Sequence, residues 1–332
     1  MKRNILHACA TLGVSLLLVA PGVSAAKTQD NYTQRPEAQA LIAELVEQGF
    51  SAAELEGVLD QAKQQKSILK AMSRPAEKRL TWGEYRKLFL TKKRISQGLK
   101  FWKENQQVLN KAEQEFGVPA EIIVAIIGIE TSYGRITGNY RVVDALATLG
   151  FDYPRRAKFF REQLKEYFLL TRAEGVDPLT LKGSYAGAMG LGQFIPSSFN
   201  SYAIDFDGDN KKDIWNNPHD AIGSVANYFA KHGWKTGETV RVKAIAPATA
   251  EQNWFNDGLE LKLSMAEWRA RDFSSAAELD DAETVSLMRL EKDGEFQDWF
   301  GLHNFYVITR YNHSRLYASA VYELSAALNA KR

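Results

Sequence analysis

Apolar residues recur at helical spacing over most of this chain and at strand spacing in one later region. Between 35 and 48, Leu41, Leu45 and Val46 fall on one side of a helix. Ser51-Ala52-Ala53-Glu54 has the spacing of a capping box, with Phe50 and Leu55 placed as a hydrophobic staple. Thr81-Trp82-Gly83-Glu84 repeats the device with Leu80 and Tyr85, and predicts one long amphipathic helix, or two, to about Phe116. Pro119 suits a first helical position, and 122–129 is apolar all round, which predicts a helix buried on every face. Gly134 offers it a left-handed stop. Helices are also predicted over 154–174 and 220–232, with a turn at Asp177-Pro178 between them.

Beyond Gly237 the period shortens. Residues 239–245, 283–290 and 304–310 alternate as strands, around a third capped helix start at Ser264-Met265-Ala266-Glu267 with Leu263 and Trp268. A helix over about 314–328 follows. The expected class is α+β, mostly α: a helical unit over about 36–237 and 305–330, with a small β insertion over about 238–304. No internal repeat or low-complexity tract interrupts it.

Composition narrows the setting. A chain of 332 residues, 45% hydrophobic and 25% charged, is a soluble globular protein of two domains or one large one with subdomains. Lys2 and Arg3, an apolar run over 5–20 and Val23-Ser24-Ala25 together predict a cleaved signal peptide over 1–25. A membrane anchor fits less well, because Pro21-Gly22 breaks a run already too short. Cys9, the single cysteine, lies in that segment. The mature chain would then have no cysteine nucleophile, zinc-thiolate site or disulfide. Losing Lys2 and Arg3 from 42 basic residues leaves 40 against 40 acidic, which gives no support for nucleic-acid binding. The basic run Lys87, Lys92, Lys93, Arg94, Lys100 is interspersed with Glu84 and Glu104 and reads as a solvated helix face. Export without a membrane anchor predicts a periplasmic or secreted protein, acting as a monomer.

Three stretches carry candidate chemistry. Glu130 stands at the dry end of the apolar helix, where burial and the negative helix end both raise a carboxyl pKa. A carboxyl kept neutral near pH 7 can act as a general acid. The plainer alternative is a Glu turned to solvent or paired with Arg135. The Gly- and Ser-rich stretch over 183–196 has neither dinucleotide nor phosphate-loop spacing. Its small residues would let a ligand near the backbone; Ser184 and Gln193 could bond sugar hydroxyls or amides, and Tyr185 and Phe194 could pack on a ring. A tight helix-packing loop reads equally well. Tyr311 and Asn312 stand between a predicted strand and a helix, where Asn312 could both accept from and donate to an N-acetyl group and Tyr317 offers a ring face and a hydroxyl. An ordinary turn is the alternative.

Asp205, Asp207 and Asp209 occupy positions 1, 3 and 5 of a calcium-type loop, with the Lys211 carbonyl at position 7. Position 6 is Asn210 rather than Gly, and position 12 is Asn216 rather than Glu. A solvated acidic turn competes with this reading. His219, His232, His303 and His313 show no metal spacing, and Trp254, Trp268 and Trp299 read as core residues before they read as glycan platforms.

Glu130-Thr131-Ser132-Tyr133-Gly134, the 184–198 stretch, and Tyr311-Asn312-His313-Ser314 with Tyr317 resemble the lytic murein transglycosylase B family over about 36–327. The resemblance implies a lysozyme-like core with an additional helical subdomain and a single catalytic glutamate, Glu130. It implies pocket positions at Ser184, Gln193, Tyr311, Asn312 and Tyr317, to which Tyr133, Tyr185 and Phe194 are added here. It also implies a structural calcium loop closed by Asp220, no cofactor for the chemistry, and peptidoglycan glycan strands as substrate. Cell-wall synthesis proteins are further expected partners. The expected reaction is cleavage between N-acetylmuramic acid and N-acetylglucosamine with a 1,6-anhydro end. A hydrolytic muramidase, a non-catalytic glycan-binding scaffold and a calcium-regulated binding protein are the competing readings.

Overall fold

The computed structural model describes residues 31–73 and 80–332; the expected signal peptide, with Cys9, lies outside them. The first helices are α1 (Pro36–Glu47), α2 (Ala52–Asp60), α3 (Lys66–Met72), α4 (Trp82–Phe89), α5 (Lys92–Glu104), α6 (Gln106–Phe116) and α7 (Ala120–Thr131). Strand β1 (Tyr140–Arg141), α8 (Val142–Asp152), α9 (Ala157–Ala173), β2 (Lys182–Gly183), α10 (Pro196–Tyr202) and α11 (Pro218–Lys231) follow. The β unit holds β3 (Arg241–Ile245), β4 (Leu263–Ser264), α12 (Met265–Arg269), β5 (Ser274–Ser275), β6 (Thr284–Lys292) and β7 (Glu295–Gly301), before α13 (His303–Tyr311) and α14 (Arg315–Asn329).

Helix α7 is the axis of one helical core. Ile123 through Ile127 have no exposed surface, and α14, α5, α6 and α11 surround them. A second core joins α1, α2, α3, α8, α9 and α10. The β unit is a five-stranded antiparallel sheet in the order β4-β6-β7-β3-β5. Strand β6 is buried on both faces: Val285 and Leu287 enter the β unit's own core, whereas Met288 and Leu290 join the α7 core. The sheet is therefore fixed against the helices around α7. Arg241 on β3 and Arg86 on α4 both bond Glu323 on α14, at 3.0 and 2.5 Å, and tie the same three elements together.

Several expectations change. Residues 304–310 are helix α13, not a strand, so the β insertion ends near Leu302. Phe305, Ile308 and Thr309 point inward together at helical spacing, and buried Asn304 anchors the start by bonding Lys235 and Glu238. The long helix over 81–116 is three helices, with Thr91 capping the second through Arg94 N–H. Pro119 is the N-cap of α7 rather than its first residue. Ser132, not Gly134, is the first left-handed residue. The capping boxes at Thr81 and Ser264 are both closed, and Ser51 makes its half of the third.

Candidate active site

The end of α7 is unusual backbone. Ser132, Tyr133 and Gly134 have φ of 51°, 63° and 79°, so two non-glycine residues in succession are left-handed. Such residues cost about 1–2 kcal/mol each and persist only where their surroundings hold them. Thr131 supplies that hold. Its hydroxyl accepts the Gly134 N–H at 2.9 Å and lies 2.9 Å from the Leu191 carbonyl, to which it donates. The same bond pins the 183–196 loop to the helix end that carries Glu130.

Glu130 is half-buried at this end, and its Oε1 accepts a 2.6 Å hydrogen bond from the Tyr317 hydroxyl. Burial raises its pKa from 4.5 to about 7, and the Tyr317 bond opposes the rise; no neighbouring carboxylate contributes. Tyr317 is buried at the start of α14, where Ser314 caps the helix by accepting the Tyr317 N–H. Tyr85 on α4 and Tyr311 on α13 also lie near: after burial, the charge of Glu130 raises both phenols. Tyr317 thus touches the carboxyl, and Tyr85 and Tyr311 from two other helices feel its charge. Tyr85 was legible only as a staple residue. The alternative pairing of Glu130 with Arg135 does not occur.

Tyr317→Phe removes the group that favours the ionised carboxyl. Glu130 should then titrate above pH 7, moving the falling limb of kcat/KM to higher pH, with kcat down about tenfold for one lost charge-assisted bond. pH–rate profiles of the two proteins check this.

The other expected site residues divide. Gln193 adopts φ 53° and donates from its amide to Thr137 and Gly190 carbonyls at 3.1 and 3.0 Å, leaving its own carbonyl oxygen open. Ser184 Oγ accepts the Ala186 and Ala188 N–H groups and keeps its proton to donate. Tyr185 and Asn312 are exposed. Tyr311 donates its proton to the Gly192 carbonyl at 2.5 Å and stacks on Phe229, so towards a substrate it is an acceptor only. Phe194 is 3% exposed within the Tyr228–Tyr311 aromatic cluster, and a sugar cannot reach its ring. Tyr133 is wedged between α5 and α7, its hydroxyl against Gly98 and Gly128 and its ring against Phe101. Tyr317 presents its hydroxyl to Glu130 and no ring face to solvent.

Gly192 of the loop and Gly138, which packs against it at Gly183, serve the protein's own packing. A Cβ on Gly192 would come within 2.9 Å of the Tyr311 hydroxyl, and one on Gly138 (φ 97°) within 2.0 Å of the Gly183 carbonyl. The loop is thus held by Tyr311 at one end and by the β1–β2 pairing at the other.

Asp144 and Asp152 are committed elsewhere. Arg141 grips both oxygens of Asp144 at 2.7 and 2.9 Å, and Asp152 accepts from Tyr32 and Gln64 and pairs with Arg35. Both carboxylates hold the second core together.

In the acidic loop, one oxygen each of Asp205, Asp207 and Asp209 lie within 4.8 Å of one another. Gly208 and Asn210 supply left-handed turns at φ 84° and 67°. Hard oxygens so grouped fit a calcium ion. The Lys211 N–H donates to Asp209. Asp220 differs from expectation: fully buried, it accepts the Phe206 and Asp213 N–H groups at 2.8 Å each and stands outside the cluster. It ties the loop's two ends to α11.

The chain is similar to known proteins over most of its length. A family model described as "Transglycosylase SLT domain" matches residues 33–326. The chain is 43% identical to the membrane-bound lytic murein transglycosylase B of Escherichia coli over 325 residues, covering 95% of this chain and 89% of that one. The solved structure of catenated SltB1 from Pseudomonas aeruginosa superposes with a TM-score of 0.88 at 50% identity, covering 90% of this chain and 99% of that one. Escherichia coli Slt35, solved in complex with calcium, gives 0.83 at 45% identity, covering 91% and 95%. Pseudomonas aeruginosa SltB3, solved with NAG-anhNAM-pentapeptide, gives 0.77 at 30% identity, covering 90% and 80%. The chain belongs to the transglycosylase SLT domain family. It is a lytic murein transglycosylase with a lysozyme-like, mostly helical fold.

Proposed function

We propose that Glu130 performs both proton transfers in a non-hydrolytic cleavage of the β-1,4 bond between N-acetylmuramic acid and N-acetylglucosamine. As the neutral acid it protonates the glycosidic oxygen, and positive charge develops at the muramoyl anomeric carbon. As the carboxylate it then takes the proton of the muramoyl C6 hydroxyl, which attacks that carbon and closes the 1,6-anhydro ring. Attack within one sugar replaces water and gains from proximity. One group can do both because its pKa, raised to about 7, lies near working pH. The observation that carries this reading is half-buried Glu130 bonded to Tyr317, with Asp144 and Asp152 both engaged elsewhere and no second carboxylate on it among the described residues. Ordinary glycosidases need two carboxylates.

Around that step, Ser184 donates, Gln193 offers its carbonyl, and exposed Asn312 and Tyr185 contact the sugars, Asn312 at the N-acetyl group. Tyr311 positions the loop through Gly192. Digestion in water enriched in oxygen-18 tests the chemistry. New muramoyl ends should carry no label; one labelled oxygen per cleavage would establish hydrolysis instead.

The same proposal extends to the acidic loop, where Asp205, Asp207, Asp209 and the Lys211 carbonyl would hold a structural calcium ion. Millimolar calcium should then raise Tm by several degrees over an EDTA-treated sample, by binding only the folded state, with kcat at 25 °C within twofold. Among the described residues no helix is long and apolar enough to cross a membrane. We place the enzyme in the periplasm, acting on cell-wall glycan strands in turnover or remodelling.

A further inference from the structure

The turn that follows Glu130 forms one wall of a groove of about 500 Å³ that the cleavage reaction does not use. Helix α5 is the other wall. Lys93, Gln97, Lys100 and Glu104 follow one another at helical spacing and line it over about 16 Å. Tyr133 and Arg135 stand on the side of the turn. Phe101 and Tyr133, both mostly buried and with ring centroids 5.6 Å apart, are its apolar residues.

The charges of this groove are uneven. Of the basic run on α4 and α5, Lys87 is paired with Asp293, and Arg94 is turned inward to donate to the Gly128 carbonyl. Lys100 pairs at 3.6 Å with Glu104, the one carboxylate of the lining. Lys93 and Arg135 remain. Both are exposed, and among the described residues neither side chain has a carboxylate, hydrogen-bond or ring partner. Three cations around one carboxylate that is already paired attract an anion, and Lys93 and Arg135 are open to it.

Two short segments join the groove to the candidate site. Tyr133 stands three residues after Glu130, a stretch that spans at most about 11 Å. Arg135 stands two residues before Thr137, at most about 7 Å away, and the Thr137 carbonyl accepts from the Gln193 amide. A polymer held at Glu130 and Gln193 thus has both open cations beside it.

We propose that this groove binds carboxylates carried by the glycan strand outside the bond being cleaved, an inference that rests on the substrate assigned above. Muramoyl residues bear a carboxylate on the lactyl group or on the peptide attached there, whereas N-acetylglucosamine bears none. Lys93 and Arg135 take these carboxylates, and Gln97 bonds a hydroxyl or amide between them. A surface built for a lipid bilayer would present apolar side chains for insertion. Here the apolar residues are the mostly buried ones, and the exposed ones are charged. The groove adds affinity for the strand and leaves the chemical step to Glu130.

The test uses the full chain and two substrates: peptidoglycan strands, and the same strands with their carboxylates converted to neutral amides. The double variant Lys93→Gln, Arg135→Gln should raise KM for the native strands about fivefold with kcat within twofold, as expected for two solvent-exposed ion pairs. Raising salt from about 20 to about 300 mM should close most of that gap, because exposed charges are screened. By calorimetry the two proteins should bind the amidated strands equally well. An unchanged KM on native strands would overturn the assignment. So would an equal loss of affinity for both substrates, which would report a disturbed turn after Glu130 rather than recognition of charge. Binding to phosphatidylglycerol vesicles that the variant loses, beside an unchanged KM, would overturn it in favour of a lipid contact. Failure of the reaction reads out separately: reducing muramoyl ends from wild-type protein would overturn the cleavage proposed above and leave the KM contrast standing.

Discussion

Glu130→Gln should lower kcat by about a thousandfold or more, since the variant can neither donate the first proton nor accept the second. The same substitution should make the protein more stable at high pH. The carboxyl titrates at 4.5 in the unfolded chain and at about 7 in the folded one. The folded state thus binds the proton more tightly, and the carboxyl costs nothing below pH 4.5. The cost grows as pH rises through that interval and is complete above pH 7. Removing a carboxyl with that gap should return about 3 kcal/mol at pH 8 and almost nothing at pH 4. Urea melts of both proteins at the two pH values check this. Equal stabilities at pH 8 would mean that Glu130 is ionised without penalty, and the proton-donor role would lose its physical basis.

Glu323→Ala should cost about 3–5 kcal/mol and reduce activity although Glu323 touches no substrate. Its partner Arg241 is 3% exposed, packed on the Trp299 ring at 4.0 Å, and has no other acceptor for its Nε and Nη1 groups. Losing the carboxylate leaves a buried cation unpaired, which is far costlier than losing a surface ion pair. The effect should reach the site because Arg86 neighbours Tyr85 on α4, and Glu323 shares α14 with Tyr317. Denaturation midpoints measure the first effect. A kcat loss retained well below the melting temperature measures the second. Glu323→Gln, which keeps an acceptor, should lose less of both.

The catalytic helix was readable because burial on every face left nothing polar between Ile122 and Ile129 until Glu130. Helix α8 was not read at all, because buried Asp144 and Thr148 break the apolar run that marked α7. Val142 through Gly150 are all buried, so no polar face marks the helical period. Residues 304–310 misled in the other direction, because Phe305, Val307 and Ile308 in a short run alternate as well as they cluster. The β6–β7 hairpin carried a signal that went unused. Asp293-Gly294, both at positive φ, are the residues a two-residue hairpin turn demands.

At the candidate site, the motifs nominated Glu130, Ser184, Gln193 and Tyr317 but not the hydrogen bonds each makes. Aromatic type alone could not tell Tyr185, which is exposed, from Phe194, which is core. Tyr85 comes under the charge of Glu130 only through the packing of α4 on α14, which no spacing encodes. The roles of Asp220 and of the glycines likewise depend on which groups, backbone or side chain, each one meets.

In the proposed reaction one carboxyl, held neutral by burial, cleaves a glycan whose own hydroxyl completes the cleavage. Mass spectrometry of peptidoglycan digested by wild type beside Glu130→Gln tests it most directly. The account predicts 1,6-anhydromuramoyl ends from the wild type and no new ends from the variant. Reducing muramoyl ends from the wild type, or anhydro ends still formed by Glu130→Gln at a comparable rate, would contradict it.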